Sequence, residues 1–154
     1  AVRFLFNMRE AGSAMDFDLG LAIEQSNQNP VYYCQYAHAR ICSILKKLAG
    51  EGIVSRKPSK EELTLLTSDE ETDLIAHLGA LTGVIVNAAN TYDPAKITHY
   101  ATDLATKFHR FYNAQRVMVD DESLMQARIF LCICVRNTMK NVLSMLKIDA
   151  PVSM

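Results

Sequence analysis

Three tyrosines, a histidine and an arginine lie within the ten residues "YYCQYAHARI" at positions 32–41. Tyrosine rings can stack on unpaired nucleobases, and arginine can bind phosphate or stack through its guanidinium plane. On a helical wheel, two of these tyrosines, the arginine and a lysine that follows them share one arc: Tyr33, Tyr36, Arg40 and Lys47. The apolar positions of the same stretch centre on a second arc, about 120° away. The sequence therefore predicts an aromatic and basic stripe beside the core, where a partner can reach it.

A single long helix must carry this stripe. Asn29 is a favourable N-cap and Pro30 a favourable first helical residue. Gly50 and Gly52 are typical of a helix end. These residues predict a helix from Pro30 to about Ala49.

Similar start and stop residues predict helices for the rest of the chain, and almost no stretch after residue 30 has the period of a strand. We expect an all-α helical bundle at residues 30–154, preceded by a short stem segment at residues 1–29. The expected elements are one or two turns at 61–66, a helix from Ser68 to about Leu81, a short helix after Gly83, a long helix from Asp93 and Pro94 to about Met118, and a last helix from Asp120 or Asp121 to about Lys147.

The net charge of −1 hides a segregation along the chain. Residues 30–60 carry six basic and one acidic side chain, and residues 94–147 carry eight basic and four acidic ones. Residues 61–93 between them carry seven acidic and no basic side chains. Such blocks can steer a polyanion to one side of a molecule, although a solvated acidic helix beside ordinary basic ones gives the same pattern.

The last predicted helix is apolar on several sides, which is typical of the centre of a bundle. Arg128 falls on its core stripe, and a buried guanidinium needs a partner, so we expect a structural ion pair there. Arg136, Lys140 and Lys147 share a different arc of this helix and can join a basic face.

Motifs of catalysis are missing from the sequence. It contains no phosphate-binding glycine loop, no Gly-x-Ser-x-Gly, no His-Glu-x-x-His and no calcium loop. The four histidines, which are not spaced as metal ligands, are interpreted as surface or half-buried side chains: His38, His77, His99 and His109. The four cysteines form no Cys-x-x-Cys pair, which favours reduced thiols in a cytoplasmic protein and no zinc site. We find no apolar stretch of transmembrane length.

One long run of the sequence resembles a known family. The segment "DFDLGLAIEQSNQNPVYYCQYAHARI" at 16–41 is similar to the junction between the catalytic core and the anticodon-binding domain of bacterial arginyl-tRNA synthetases. The similarity continues through "YDPAKITHY", "FHRFYNAQRV" and a final "APVSM", so it extends over the whole chain. This ordered set with matching spacing is far more specific than any one of its motifs.

The resemblance implies the C-terminal, DALR-type anticodon-binding domain of a class I enzyme that joins arginine to its tRNA with ATP and Mg. The fragment itself is then expected to hold no cofactor, no metal and no catalytic residue. Its implied partners are arginine tRNA, bound at the anticodon loop, and the catalytic core of the same enzyme, with no membrane and no DNA.

The resemblance also implies site residues. The positions of Tyr33, Tyr36, Arg40, Tyr112 and Met154 match residues that this family uses on the anticodon loop. Arg116 is added to them, at a position that is often aromatic in eukaryotic members. Charge alone makes three further residues candidates for phosphate contacts: Lys47, Arg136 and Lys140.

Two other functions are open from the residues alone. A helical protein-interaction module would dock a partner through the same stripe, while tyrosines packed between helices would serve only the fold. A small enzyme is disfavoured by the missing catalytic motifs. A steep loss of binding with salt would separate RNA binding from an apolar protein interface.

Overall fold

The structure, a computed structural model, describes residues 1–10, 12–14 and 16–154, and these residues form seven α-helices and no strand. The all-α prediction is therefore confirmed. In chain order the helices are α1 (Val2–Asn7), α2 (Leu19–Ile23), α3 (Pro30–Gly50), α4 (Lys60–Leu63), α5 (Asp69–Thr91), α6 (Ala95–Ala114) and α7 (Glu122–Met145).

Helix α6 lies at the centre of the bundle, where it packs against α3, α5 and α7. Its inward face is completely buried and consists of Ala101, Leu104, Ala105, Phe108 and Phe111. The predicted core arcs of α3 and α7 face it with Cys34, Ala37, Ile41, Leu131, Val135, Met139 and Val142. Helix α1 adds Phe4, which is fully buried in the same cluster, so the core also draws on the stem segment.

Three of the predicted helix starts are confirmed by their capping hydrogen bonds, those of α3, α5 and α7. The Asn29 side chain accepts from the backbone N–H groups of the first turn of α3, which begins at Pro30. Ser68 and Glu71 form a capping box at the predicted start of α5, and Asp121 caps α7. Each such cap satisfies N–H groups that the first turn of a helix leaves without a helical acceptor.

The predicted break at Gly83 is wrong, because α5 continues through it to Thr91. A glycine inside a helix costs only about 1 kcal/mol relative to alanine, and the packing of α5 along α6 outweighs that cost. No side chain crowds this position, since a Cβ added at Gly83 would meet nothing within 4 Å.

The predicted end of α6 near Met118 is also wrong, since the helix stops at Ala114. The two following residues are held outside the helix by Arg128 of α7. Its guanidinium donates to the carbonyl oxygen of Arg116 at 2.7 Å and to Oε1 of Gln115 at 3.0 Å.

Helix α5 is, within the described part of the chain, the one helix long and apolar enough to cross a membrane by length and composition. This length was not predicted, because the expected break at Gly83 divided the segment into two shorter helices. In the structure α5 packs along α6, and three ion pairs join its beginning to α6 and α7. The pairs are Glu70 with Arg110, Glu71 with Arg128 and Asp73 with Lys107.

Candidate nucleic-acid interface

The predicted stripe, which we call the α3 stripe, consists of Tyr33, Tyr36, Arg40 and Lys47 along one flank of α3. The two tyrosines and Arg40 are half-buried, whereas Lys47 is exposed. Tyr33 packs against the hydrophobic core, whereas Tyr36 lies outside that cluster. Tyr33 therefore also serves the fold, and Tyr36 is the ring that is freer to meet a partner.

Arg40 connects the α3 stripe to Tyr112 of α6. Its guanidinium carbon lies 4.5 Å from the centre of the Tyr112 ring and 5.8 Å from the centre of the Tyr36 ring. Both distances are within the range of a cation–π contact, which contributes about 0.5–1 kcal/mol at an exposed site. The structure thus brings three of the predicted residues into one aromatic and basic cluster, which we call the α3–α6 cluster: Tyr36, Arg40 and Tyr112.

His109 of α6 lies underneath this cluster, and it is not among the residues predicted for the site. Its ring centre is 4.9 Å from that of Tyr33 and 5.8 Å from that of Tyr36. Burial, and secondly the charge of Arg40, lower the pKa of His109 to about 4, so the ring is neutral at neutral pH. The spacing gave one signal, since His109 precedes Tyr112 by three residues and so shares its helix face.

An open cleft of about 610 Å³ continues the cluster toward the end of α3. Lys47 and Tyr112 line it together with Arg116, so three predicted residues share this cleft. Its polar lining also includes Asn113 and Gln115, over an apolar floor formed by Ile44, Leu48 and Val117. A cleft with an aromatic wall and two cations has the chemistry of a site for a flat, negatively charged ligand.

A buried ion pair holds the segment that lines this cleft. Arg128 Nε donates to Oε1 of Glu71 at 2.7 Å. Arg128 is 8% exposed and Glu71 is 1% exposed. The predicted structural ion pair of Arg128 is therefore confirmed. Because the same guanidinium also binds Gln115 and the carbonyl of Arg116, the pair fixes the backbone from which Arg116 projects.

Ion pairs divide the cations into structural ones and free ones. Five of the seven acidic side chains in residues 61–93 lie in ion pairs, with Arg56, Lys96, Lys107, Arg110 and Arg128. Among the described ion pairs none involves Arg40, Arg116, Arg136 or Lys140, and Lys47 has only an exposed contact of 3.9 Å with Glu51. The cations proposed from sequence are thus among those whose charge no buried ion pair compensates.

Three predicted residues lie elsewhere, on or near the other flank of α3. The C-terminal tail runs along that flank, where the His38 ring nitrogen Nδ1 donates to the carbonyl oxygen of Pro151 at 2.8 Å. Burial, and to a smaller degree the charges of Arg136 and Lys140, lower the pKa of His38. Met154 is exposed at the end of the tail. Arg136 and Lys140 thus lie near His38 and form a second basic region, and Met154 ends the tail that contacts His38 through Pro151.

The chemistry of the α3–α6 cluster is that of binding. It offers aromatic faces, a guanidinium plane and an open cleft. Within residues 1–10, 12–14 and 16–154, no group of three His, Cys, Asp or Glu side chains is placed to hold a metal ion. Burial raises the pKa values of Cys34 and Cys132 to about 12, so these thiols stay protonated and unreactive.

Known proteins resemble this chain along its whole length. Residues 34–154 match the family model of the DALR anticodon binding domain. An arginine–tRNA ligase of Ruminiclostridium cellulolyticum is 48% identical over 150 residues, which cover 97% of this chain and 27% of that protein. The corresponding ligase of Acetivibrio thermocellus is 46% identical over 154 residues, which cover 100% of this chain and 27% of that protein.

A solved structure has the same fold. The arginyl-tRNA synthetase of Thermus thermophilus matches with a TM-score of 0.84 at 28% identity, over 99% of this chain and 26% of that one. The chain therefore spans about a quarter of the length of the relatives that it matches.

Proposed function

Because this chain belongs to the DALR anticodon-binding domain family, we propose that it binds the anticodon loop of an arginine tRNA as the C-terminal part of an arginine–tRNA ligase. The observation that carries this proposal is the α3–α6 cluster, in which Arg40 lies between the rings of Tyr36 and Tyr112. Proteins recognise RNA sequence mainly in loops, where splayed bases stack on aromatic rings and on guanidinium planes.

Each part of the cluster has a distinct role in this proposal. Tyr36 and Tyr112 offer faces for unstacked bases, and Arg40 reads a base edge or binds the adjacent phosphate. Lys47 and Arg116, on the neighbouring cleft, bind the phosphates of the loop. The second basic region, with Arg136, Lys140 and Met154, contacts the tRNA beyond these bases.

The chemistry of the whole enzyme belongs to another part of the protein. The catalytic part, which would use ATP and Mg, joins arginine to the tRNA in the cytoplasm, and this chain positions the substrate. Within residues 1–29, side chains that face solvent support contact with that part: Val2 is 52% exposed, Phe6 57%, Leu19 71% and Ile23 81%. Burying such apolar surface is favourable, so residues 1–29 are the segment that we assign to the junction.

Binding of the 154-residue chain to an anticodon stem-loop tests the proposal. Tyr36→Ala is expected to weaken binding by about 1–3 kcal/mol, the value of one stacked base. Tyr36→Phe is expected to retain most of the affinity, because stacking needs the ring and not the hydroxyl. Tyr92→Ala is a matched control, since Tyr92 is 90% exposed at the end of α5, outside the cluster.

The salt dependence of binding separates this function from a protein-interaction module. RNA binding should weaken steeply as salt rises, because each neutralised phosphate releases counterions. The same stem with a scrambled loop should bind less tightly. A chain that ignores the loop sequence, or that keeps its affinity when Tyr36 becomes alanine, would contradict anticodon binding through this cluster.

A further inference from the structure

His109 is unusual among the histidines of this protein because its buried nitrogen has no partner. Its Nε2 is buried and makes no hydrogen bond. By contrast, ring nitrogens of His38 and His77 bind the carbonyl oxygens of Pro151 and Tyr100. A buried polar atom left without a hydrogen bond destabilises a fold, and a purely apolar ring at position 109 would avoid that penalty.

The surroundings of the His109 ring are the rings of the proposed binding site. Tyr36 is nearly parallel to it, at an interplanar angle of 25°, and Tyr33 is tilted by 39°. Phe108 closes the inner side at 5.5 Å between ring centres. His109 therefore separates the core from Tyr36, which is the ring of the α3 stripe that lies outside the core cluster.

We propose that His109 is a positioning residue, whose neutral ring supports Tyr36 from below and holds its outer face toward the RNA. This inference rests on the proposed function and deepens it. A flat ring fixes the plane of Tyr36 by stacking, which an aliphatic side chain cannot do. Without it, Tyr36 keeps the parallel ring of Tyr32 at 6.4 Å and the guanidinium of Arg40 as neighbours. Part of its order must then be gained on binding, and affinity falls by that cost.

The neutrality of the ring is part of this role. Arg40 is the charged group beside His109, and Tyr33 and Tyr36 of α3 are the titratable groups packed on it. A proton on His109 would place a second cation next to Arg40 and would weaken the support. The low pKa of about 4 keeps the ring uncharged at neutral pH.

The ring resonances of the free protein test the support directly. In NMR spectra of the 154-residue chain, the Tyr36 and Tyr33 rings should move in His109→Ala and return close to their original shifts in His109→Phe. His99→Ala is the matched control on the same helix, because His99 is exposed. In the unaltered protein, acidification should move the Tyr36 and His109 signals together, with a midpoint near 4, while Tyr92 stays constant. Tyr36 signals that ignore both changes would overturn the proposal whether or not RNA binds.

Binding to the anticodon stem-loop gives the second test. His109→Ala should weaken binding roughly tenfold, and His109→Phe should restore it to within about threefold of the unaltered chain. In a Tyr36→Ala background the same replacement should cost nothing more, because its effect passes through that ring.

The possible failures are distinguishable. The positioning role alone would be overturned if His109→Ala weakened binding equally in the unaltered chain and in the Tyr36→Ala chain. It would also be overturned if His109→Ala caused no loss of binding although Tyr36→Ala did. An unaltered chain that does not bind the stem-loop would overturn the proposed function, and the NMR experiment would still decide whether His109 orients Tyr36. Urea denaturation of each variant ensures that only folded protein is compared.

Discussion

Replacing Arg128 by methionine should reduce the free energy of unfolding by about 3–5 kcal/mol. Methionine has a similar length but no charge, so the Glu71 carboxylate would remain buried, at 1% exposure, without its cation. The change also removes the two hydrogen bonds that Arg128 donates to Gln115 and Arg116. Since small domains are stable by only about 5–15 kcal/mol, this is a large fraction of the total.

Urea denaturation followed by helical circular dichroism measures this loss. Lys107→Met is a matched control, because its partner Asp73 lies at the same distance of 2.7 Å but the two side chains are 28% and 43% exposed. A pair so accessible to solvent is worth about 0–1 kcal/mol.

The double variant Arg128→Met with Glu71→Gln should lose less stability than Arg128→Met alone. It removes the stranded charge, while glutamine can still complete the capping box with Ser68. If Arg128→Met costs no more than Lys107→Met, the burial argument for this ion pair is wrong.

Three further outcomes follow from the site. First, acidification should destabilise the protein. The pKa of His109 is near 6.5 in the unfolded chain and about 4 in the folded one. The stability that His109 contributes above pH 6.5 is therefore lost as the pH falls toward 4. The contribution of His109 should be about 2 kcal/mol for this partly screened ring, so His109→Phe should lose about that much less stability than the unaltered chain between about pH 7 and pH 4, by urea denaturation at each pH. Second, Lys47→Gln should weaken stem-loop binding for all loop sequences and lower its salt slope by roughly one, whereas Lys46→Gln, off the α3 stripe, should not. Third, the chain should show no arginine-dependent ATP–pyrophosphate exchange above a heat-denatured sample.

Local sequence signals predicted where most helices begin, because caps act within one turn. Asn29, Ser68 and Asp121 each accept hydrogen bonds from N–H groups two or three residues ahead. The two wrong boundaries depend on distant partners. Helix α5 continues through Gly83 because it packs along α6, and α6 ends early because Arg128, from the next helix, holds Gln115 and Arg116.

The same distinction between local patterns and contacts with distant residues applies to the candidate site. Periodicity within α3 placed Tyr36 and Arg40 on one arc, which the structure shows as half-buried side chains beside the core. Periodicity could not indicate which residues of α6 would face them, since this depends on how the two helices pack. Tyr112 entered the prediction through the family resemblance, whereas His109 was missed because a histidine without a nearby acid or metal ligand has no distinctive pattern.

The charge pattern shows why pairing must be known before a binding face can be inferred. The acidic block at 61–93 suggested a negative region between two positive ones. In the structure, however, Glu70, Glu71 and Asp73 form ion pairs with cations that lie 34 to 57 residues further along the chain. These ion pairs neutralise part of the positive charge of α6 and α7, and they hold the bundle together. Arg40 and Arg116 are left outside them, next to the aromatic rings and the cleft. The α3–α6 cluster and its cleft therefore offer an RNA loop cations whose charge no buried ion pair compensates, and their removal should change the salt dependence of binding.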